Sequence, residues 1–228
     1  MTIIYILKSA MTLALLYGMF FVSLERETFY RFNRRVILAI TIFSLAAPGL
    51  HAALDHVPAL APMLRSGSGN ELFAAYLPVF SLTGTAEVGS YADLQILGWL
   101  QTAYFAGVAV MGLRLAFQAL LLTRNLSNGT QRSDGHGNTI ILKSGSGRVS
   151  PFSIFSYIVM SEDDYEQNRQ YILTHEQEHI RLRHSYDKLF MEFVKIVQWF
   201  NPAVWLLCRD LDAIHEYEAD EAVLNKGI

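Results

Sequence analysis

The chain has 228 residues, of which 52% are hydrophobic and only 17% charged, with a mean hydropathy of +0.25; a soluble domain usually carries about 25% charged residues, so an ordinary soluble protein is excluded. A formal net charge of -3 and a pI near 6.2 leave no basic surface for direct nucleic-acid binding. Cys208 is the single cysteine, which excludes an intrachain disulfide and a Cys-x-x-Cys pair, so any metal has to be held by His, Asp or Glu.

Residues 3–22, IIYILKSAMTLALLYGMFFV, approach the roughly 20 apolar residues that cross about 30 Å of hydrocarbon as a helix, with Lys8 as the one charge. No small-x-small cleavage site follows and two further apolar runs come after, so a retained membrane helix is expected rather than a signal peptide. Residues 36–54 form the second run, with Pro48 and Gly49 near one end, where a membrane helix tolerates them. Residues 96–122 form the third and longest. The loop between the first two runs holds Arg26, Arg31, Arg34 and Arg35, whereas the next connection, about residues 55–95, sets Arg65 against Asp55, Glu71, Glu87 and Asp93. The positive-inside rule then puts the amino terminus outside and the chain beyond Leu122 in the cytoplasm, with Arg114 snorkelling to the inner headgroups.

Residues 123–138 read as a polar linker between a membrane region, residues 1–122, and a cytoplasmic domain, residues 123–228. Next, TIILKSGSGRVSPFSIFSYIVM reads as two β-rich runs joined around SGSG as a hairpin; it lacks the Lys-Ser/Thr ending of a phosphate loop. Ser161 followed by Glu162, Asp163 and Asp164 has the form of an N-cap with an acidic first turn, so a helix should start there or restart near Arg169.

His175, Glu176, Gln177, Glu178 and His179 spell HExxH. On a helix the two histidines differ by only about 40° in direction, so both imidazoles can meet one metal. Glu176 can then take a proton from a water whose pKa zinc has lowered to about 7. A surface helix rich in charge and histidine is the plainer alternative. Catalytic zinc takes a third protein ligand. In the run 215–220 Glu216 is the candidate, and Asp220, one turn on, can accept a hydrogen bond that fixes a ligand histidine's tautomer. His215 is a rival ligand, an acidic surface helix is the alternative, and Glu218 lies roughly opposite. His184 follows His179 by five residues rather than six with no glycine between, so it is not a metzincin histidine; His184 and Asp187 are expected to cap or orient the helix.

Between the two ligand segments runs LFMEFVKIVQWFNPAVWLLC. One full crossing would separate the ligands by about 30 Å, whereas each lies about 2 Å from a shared zinc. The run must return, with Asn201 and Pro202 at its centre, as a hairpin of about residues 189–208. It is either partly inserted or an amphipathic pair packed on the zinc helix, with Glu192 and Lys195 near the interface. Cys208 is expected to pack rather than react.

Three membrane runs followed by HEQEHIRLRHSYD, WFNPAVWLL and EYEAD resemble the BlaR/MecR-type bacterial integral-membrane metallopeptidases, gluzincin-like antirepressors and signal transducers. The resemblance implies a mainly α membrane fold: three transmembrane helices and a small cytoplasmic α+β zinc-peptidase domain with a re-entrant or interfacial helical hairpin. It implies Zn2+ held by His175, His179 and Glu216, Glu176 as catalytic acid/base and Asp220 behind a ligand. It also implies a multi-pass protein of the bacterial cytoplasmic membrane that cleaves a cytoplasmic protein, of repressor type, or itself. Membrane lipid is an expected partner and a homodimer stays open. Well-known members sense β-lactams through an outer domain; that domain and a further membrane helix are not among these residues, so the expectation is a protease-domain fragment or a branch with another input. The hairpin before the zinc helix resembles a substrate-edge strand, with Pro151 and Phe152 bordering the cleft; packing against the zinc helix is their alternative role. Two other functions stay open: a signalling module whose zinc is only structural, and a constitutive membrane quality-control or prenyl-protein protease. For the oxyanion partner, His184, Tyr186, His215 and Tyr217 are equivalent on sequence.

Overall fold

All three apolar runs are helical in the computed structural model, which describes residues 2–24, 29–55, 91–135, 137–144 and 149–227. The helices are α1 (Thr2–Leu24), α2 (Tyr30–Asp55) and α3 (Tyr91–Ser127), each extending past its apolar run because no breaker stands at the edge. Two of them, over Thr2–Ser23 and Gln95–Ser127, are long and apolar enough to cross a membrane. The third expected crossing, α2, opens on Arg31, Arg34 and Arg35, and its apolar stretch begins only at Val36. Most of the expected outer loop lies outside the described residues.

The polar linker expected over residues 123–138 is a correction. Its first residues complete α3, and the next form strand β1 (Thr130–Ser133), which turns through Asp134–Asn138 into β2 (Thr139–Lys143). Lys143 binds the Asn125 and Asn128 carbonyls at the end of α3, tying the sheet to that helix. Apolar period could not announce β1, because all four of its residues are exposed. The expected hairpin about SGSG is a second correction: β2 pairs in parallel with β4 (Tyr157–Ser161), and the true hairpin partner of β4 is the short β3 (Phe152–Ile154). Two similar apolar runs carry no signal of relative direction. The sheet order is β1-β2-β4-β3, which leaves β3 at an edge.

Ser161 caps a one-turn helix, α4 (Glu162–Gln167), by accepting from the Asp164 amide at 3.0 Å, and the chain restarts as α5 (Arg169–Arg181). Ile140, Leu142, Ile158 and Met160 from the sheet close over Leu173 of α5, the first small core. The second core joins Leu13, Tyr17 and Phe20 of α1 and Ile37 of α2 to two further helices, α6 (His184–Val197) and α7 (Pro202–Asn225), through Met191, Val194, Val204, Leu207, Cys208 and Leu211. Cys208 is thus a packing residue.

Helices α6 and α7 form the expected hairpin, and hydrogen bonds tie its tip to the helices on either side. Asn201 caps α7 by accepting from the Ala203 amide at 3.0 Å, and its amide donates to the Ala10 carbonyl at 3.1 Å and to Gln198 Oε1 at 2.9 Å. Gln198 in turn donates to Ser9 Oγ at 2.8 Å. On the other side Tyr104 of α3 donates to the Val197 carbonyl at 3.0 Å. Gly107 lies so close to Trp199 that a Cβ there would fall 2.2 Å from the indole ring. Farther along, Tyr17 donates to Asp210 Oδ2 at 2.8 Å, so α1 and α7 run side by side in the same direction.

Candidate metal centre

Helix α5 carries HExxH and packs along the second half of α7. Its other motif residues pin it in place: Gln177 donates to Asp134 Oδ2 at 3.1 Å, and buried Glu178 receives Arg181 at 2.6 Å and Lys226, near the end of α7, at 3.0 Å. His175 and His179 are thereby set against Glu216. The Nε2 atoms of the two histidines are 3.1 Å apart, and Glu216 Oε2 lies 3.4 Å from His175 Nε2 and 3.7 Å from His179 Nε2. Ligands of a tetrahedral zinc with bonds of about 2.05 Å are about 3.3 Å apart.

The surroundings decide which nitrogens carry protons. His184 Nε2 is 2.9 Å from Glu218 Oε2, and an ionised carboxylate only accepts, so the proton sits on Nε2 and Nδ1 is left as an acceptor. His179 Nδ1, 2.7 Å from that Nδ1, is then the donor, and His179 Nε2 keeps a bare lone pair. For His175, Asp220 Oδ1 is 3.1 Å from Nδ1 without the alignment of a hydrogen bond, while Glu216 faces Nε2. Two imidazole nitrogens and a carboxylate oxygen thus converge, a donor set that suits a divalent cation of borderline softness such as zinc.

The electrostatics agree. The two imidazoles hold the Glu216 carboxyl far below the usual range, and Glu216 raises His175 in return, so the cluster favours added positive charge. Burial pushes His184 down to about 4 against the opposing bond to Glu218, which keeps it neutral and able to accept from His179. Burial works to raise Glu218, but the bond from His184 and the charge of Arg34 outweigh it.

Expected residues fall as follows. Glu176 is buried next to His175, and no hydrogen bond to its carboxylate occurs among the described residues. The rival ligand His215 is turned away: it is fully buried, bonded to Asp187 Oδ2 at 3.1 Å and stacked on His184 with centroids 4.0 Å apart. His184 bears on the HExxH helix through its bond to His179. Arg183, in the left-handed region at φ 61°, makes the tight turn that folds His184 back onto His179. Pro151 and Phe152 are half-buried, and Phe152 opens the edge strand β3, which packs against α5. Of the four oxyanion candidates, His184 and His215 are buried behind the ligands, while Tyr186 and Tyr217 are exposed.

A family model described as BlaR1 peptidase M56 matches residues 81–227, more than half of the chain. The chain belongs to this family. BlaR1 peptidase M56 membership implies peptidase activity, and the matched segment contains α5, the hairpin and all of α7, hence every residue of the donor cluster. A search of curated proteins returned no matching relative.

Two elements of this M56 site were not singled out by the sequence. Glu218, two residues from a ligand and on the opposite helix face, points inward to His184. Arg34, from α2, reaches Asp187 Oδ2 at 2.6 Å, Glu218 Oε2 at 3.2 Å and the Leu182 carbonyl at 2.7 Å. Spacing along one helix cannot find either, because their partners lie on other elements.

Proposed function

We propose that the chain is a membrane-embedded zinc endopeptidase that cleaves a cytoplasmic protein, of repressor type, or itself in signal transduction. The observation that carries this reading is the convergence of the Nε2 atoms of His175 and His179 with Glu216 Oε2 at ligand-to-ligand distances. Zinc held there would supply Lewis acidity, polarising a peptide carbonyl and making water acidic enough to be deprotonated near pH 7. Glu176, buried beside the donors, takes the proton of the attacking water and returns it to the leaving amide nitrogen. Glu178, tied to Arg181 and Lys226, is unavailable for this task. The free side of β3 beside α5 lets an extended substrate add as a further strand, with Pro151 and Phe152 at the start of that edge.

The site belongs at the inner membrane face. Asn201, at the hairpin tip, lies beside Ala10 of α1, and α7 then runs about fifteen residues to Glu216, about 22 Å at 1.5 Å per residue. Glu218 meets Arg34 at the start of α2, and the Tyr217 ring lies 5.0 Å from that of Tyr30, tilted by 33°, so the ligands sit level with the arginine-rich start of α2. The tip is therefore a re-entrant element in lipid, its polar groups covered by α1 and α3 as hydrocarbon demands. Exposed Trp99, Val110, Leu113 and Leu120 on α3 suit acyl chains and not water. With α2 as the third crossing, the amino terminus is outside.

The test is cleavage of a peptide library made from cytoplasmic extract, read by mass spectrometry. Glu176→Gln should keep zinc and lower cleavage by about 10²–10⁴-fold. Undiminished cleavage by a zinc-replete Glu176→Gln protein would refute the mechanism, and a signalling module with structural zinc would then be the better reading.

A further inference from the structure

Four arginines near the inner end of the first two helices satisfy the positive-inside rule, but the described ones do not face the same way. Arg31 and Arg35 are exposed, and Arg35 bonds only to the Arg31 carbonyl on its own helix, at 3.0 Å. Arg34 points inward, with its side chain 16% exposed, and spends its guanidinium on three acceptors from α6, α7 and the turn after α5. A charge that only marked topology would need none of them.

We infer that Arg34, on membrane helix α2, is a positioning residue of the metal centre: by binding Asp187, Glu218 and the Leu182 carbonyl together it holds His184 in the place from which it bonds His179. The inference rests on reading His175, His179 and Glu216 as metal ligands. Its basis is the geometry of a closed cluster. Asp187 and Glu218 have side chains only 13% and 1% exposed, and they face His215, His184 and Arg34. Lys188 and Arg183 flank the turn, but Lys188 pairs with Asp212 at 3.5 Å instead of with either acid. Arg34 is thus the fixed positive charge shared by both acids. Without it, Asp187 on α6 and Glu218 on α7 lose the group that joins them, and His184, held by Glu218 at 2.9 Å, is no longer fixed against His179.

Arg34 also holds the Leu182 carbonyl, so the same guanidinium fixes the turn through Arg183 that lays His184 against His179. Because Arg34 stands two residues before the apolar stretch of α2, a displacement of that helix against α7 would move the guanidinium away from both acids. The metal centre is in this way coupled to the position of a membrane helix.

The experiment uses the full chain in detergent, with zinc affinity measured by chelator competition and the cobalt(II) absorption spectrum as a second readout. Arg34→Gln should weaken zinc binding about 10-fold or more, the usual effect of losing a group that orients a ligand. Arg34→Lys should recover part of this, since one ammonium keeps the charge but cannot form the three-way fork. Both should alter the cobalt bands, and Arg35→Gln should match the native protein. A plain structural anchor predicts a lower unfolding temperature with native zinc affinity and native cobalt bands in the folded protein; that result overturns the inference. If Arg34→Gln does not fold, Arg34→Lys decides by the same criteria. His175→Ala and Glu216→Ala separate the two levels. Undiminished zinc binding in those variants refutes the metal site itself, whereas its loss there beside native binding in the Arg34 variants refutes only the role of Arg34.

Discussion

Glu176 and Glu178 sit two residues apart in HEQEH, and their surroundings give them opposite tasks. Glu176 is buried without a hydrogen-bond partner among the described residues, whereas Glu178 is consumed by Arg181 and Lys226. Those pairs outweigh the burial that would raise the Glu178 carboxyl, and hold it below its usual range. Glu178→Ala should therefore lower stability by about 1–2 kcal/mol, since it frees α5 from the end of α7, and should leave one zinc per chain. Thermal unfolding with metal analysis checks this; lost zinc at unchanged stability would contradict it. The residues legible in the sequence were those whose partners are fixed by helical spacing: His175 and His179 one turn apart, and Glu216 and Asp220 likewise. Glu218 was placed on the opposite face, correctly, but what occupies that face is His184 and Arg34, 34 and 184 residues away. Long-range charge pairing leaves no periodic trace.

At the scale of elements, Asn-Pro within an apolar run was enough to expect a hairpin, because a ligand on either side forbids a full crossing. The sheet was harder. A parallel pair needs a crossover, and here the crossover contains β3, a strand of three residues too short to show alternation. The N-cap at Ser161 and the restart at Arg169 were legible because caps are local chemistry. Contact between α3 and the hairpin turns on one small residue, since Gly107 accepts the Trp199 ring where any side chain would collide. Gly107→Leu should cost at least about 1–3 kcal/mol of stability as overpacking. An unchanged unfolding temperature in detergent would show that α3 does not pack on the hairpin as described.

For the whole molecule, composition indicated lipid as a solvent, yet it could not say that the long apolar helices and the helices of the donor cluster share one core. They do: Leu13, Tyr17, Phe20 and Ile37 pack on the hairpin that joins the two halves of the donor cluster. The depth assigned to the hairpin tip follows from that packing and can be measured. A nitroxide on Val197→Cys or Phe200→Cys in bilayers should collide with oxygen more readily than with a water-soluble nickel chelate, Cys208 being buried and slow to label. The opposite preference would place the tip outside the hydrocarbon. The central claim is that α5 and α7 together build a metal centre, and zinc K-edge X-ray absorption of the purified, zinc-loaded chain tests it most directly. Four nitrogen or oxygen ligands at about 2.0–2.2 Å are predicted, with the outer scattering of two imidazoles. A shell without imidazole, or zinc held in the same shell by the His175→Ala protein, would contradict the account.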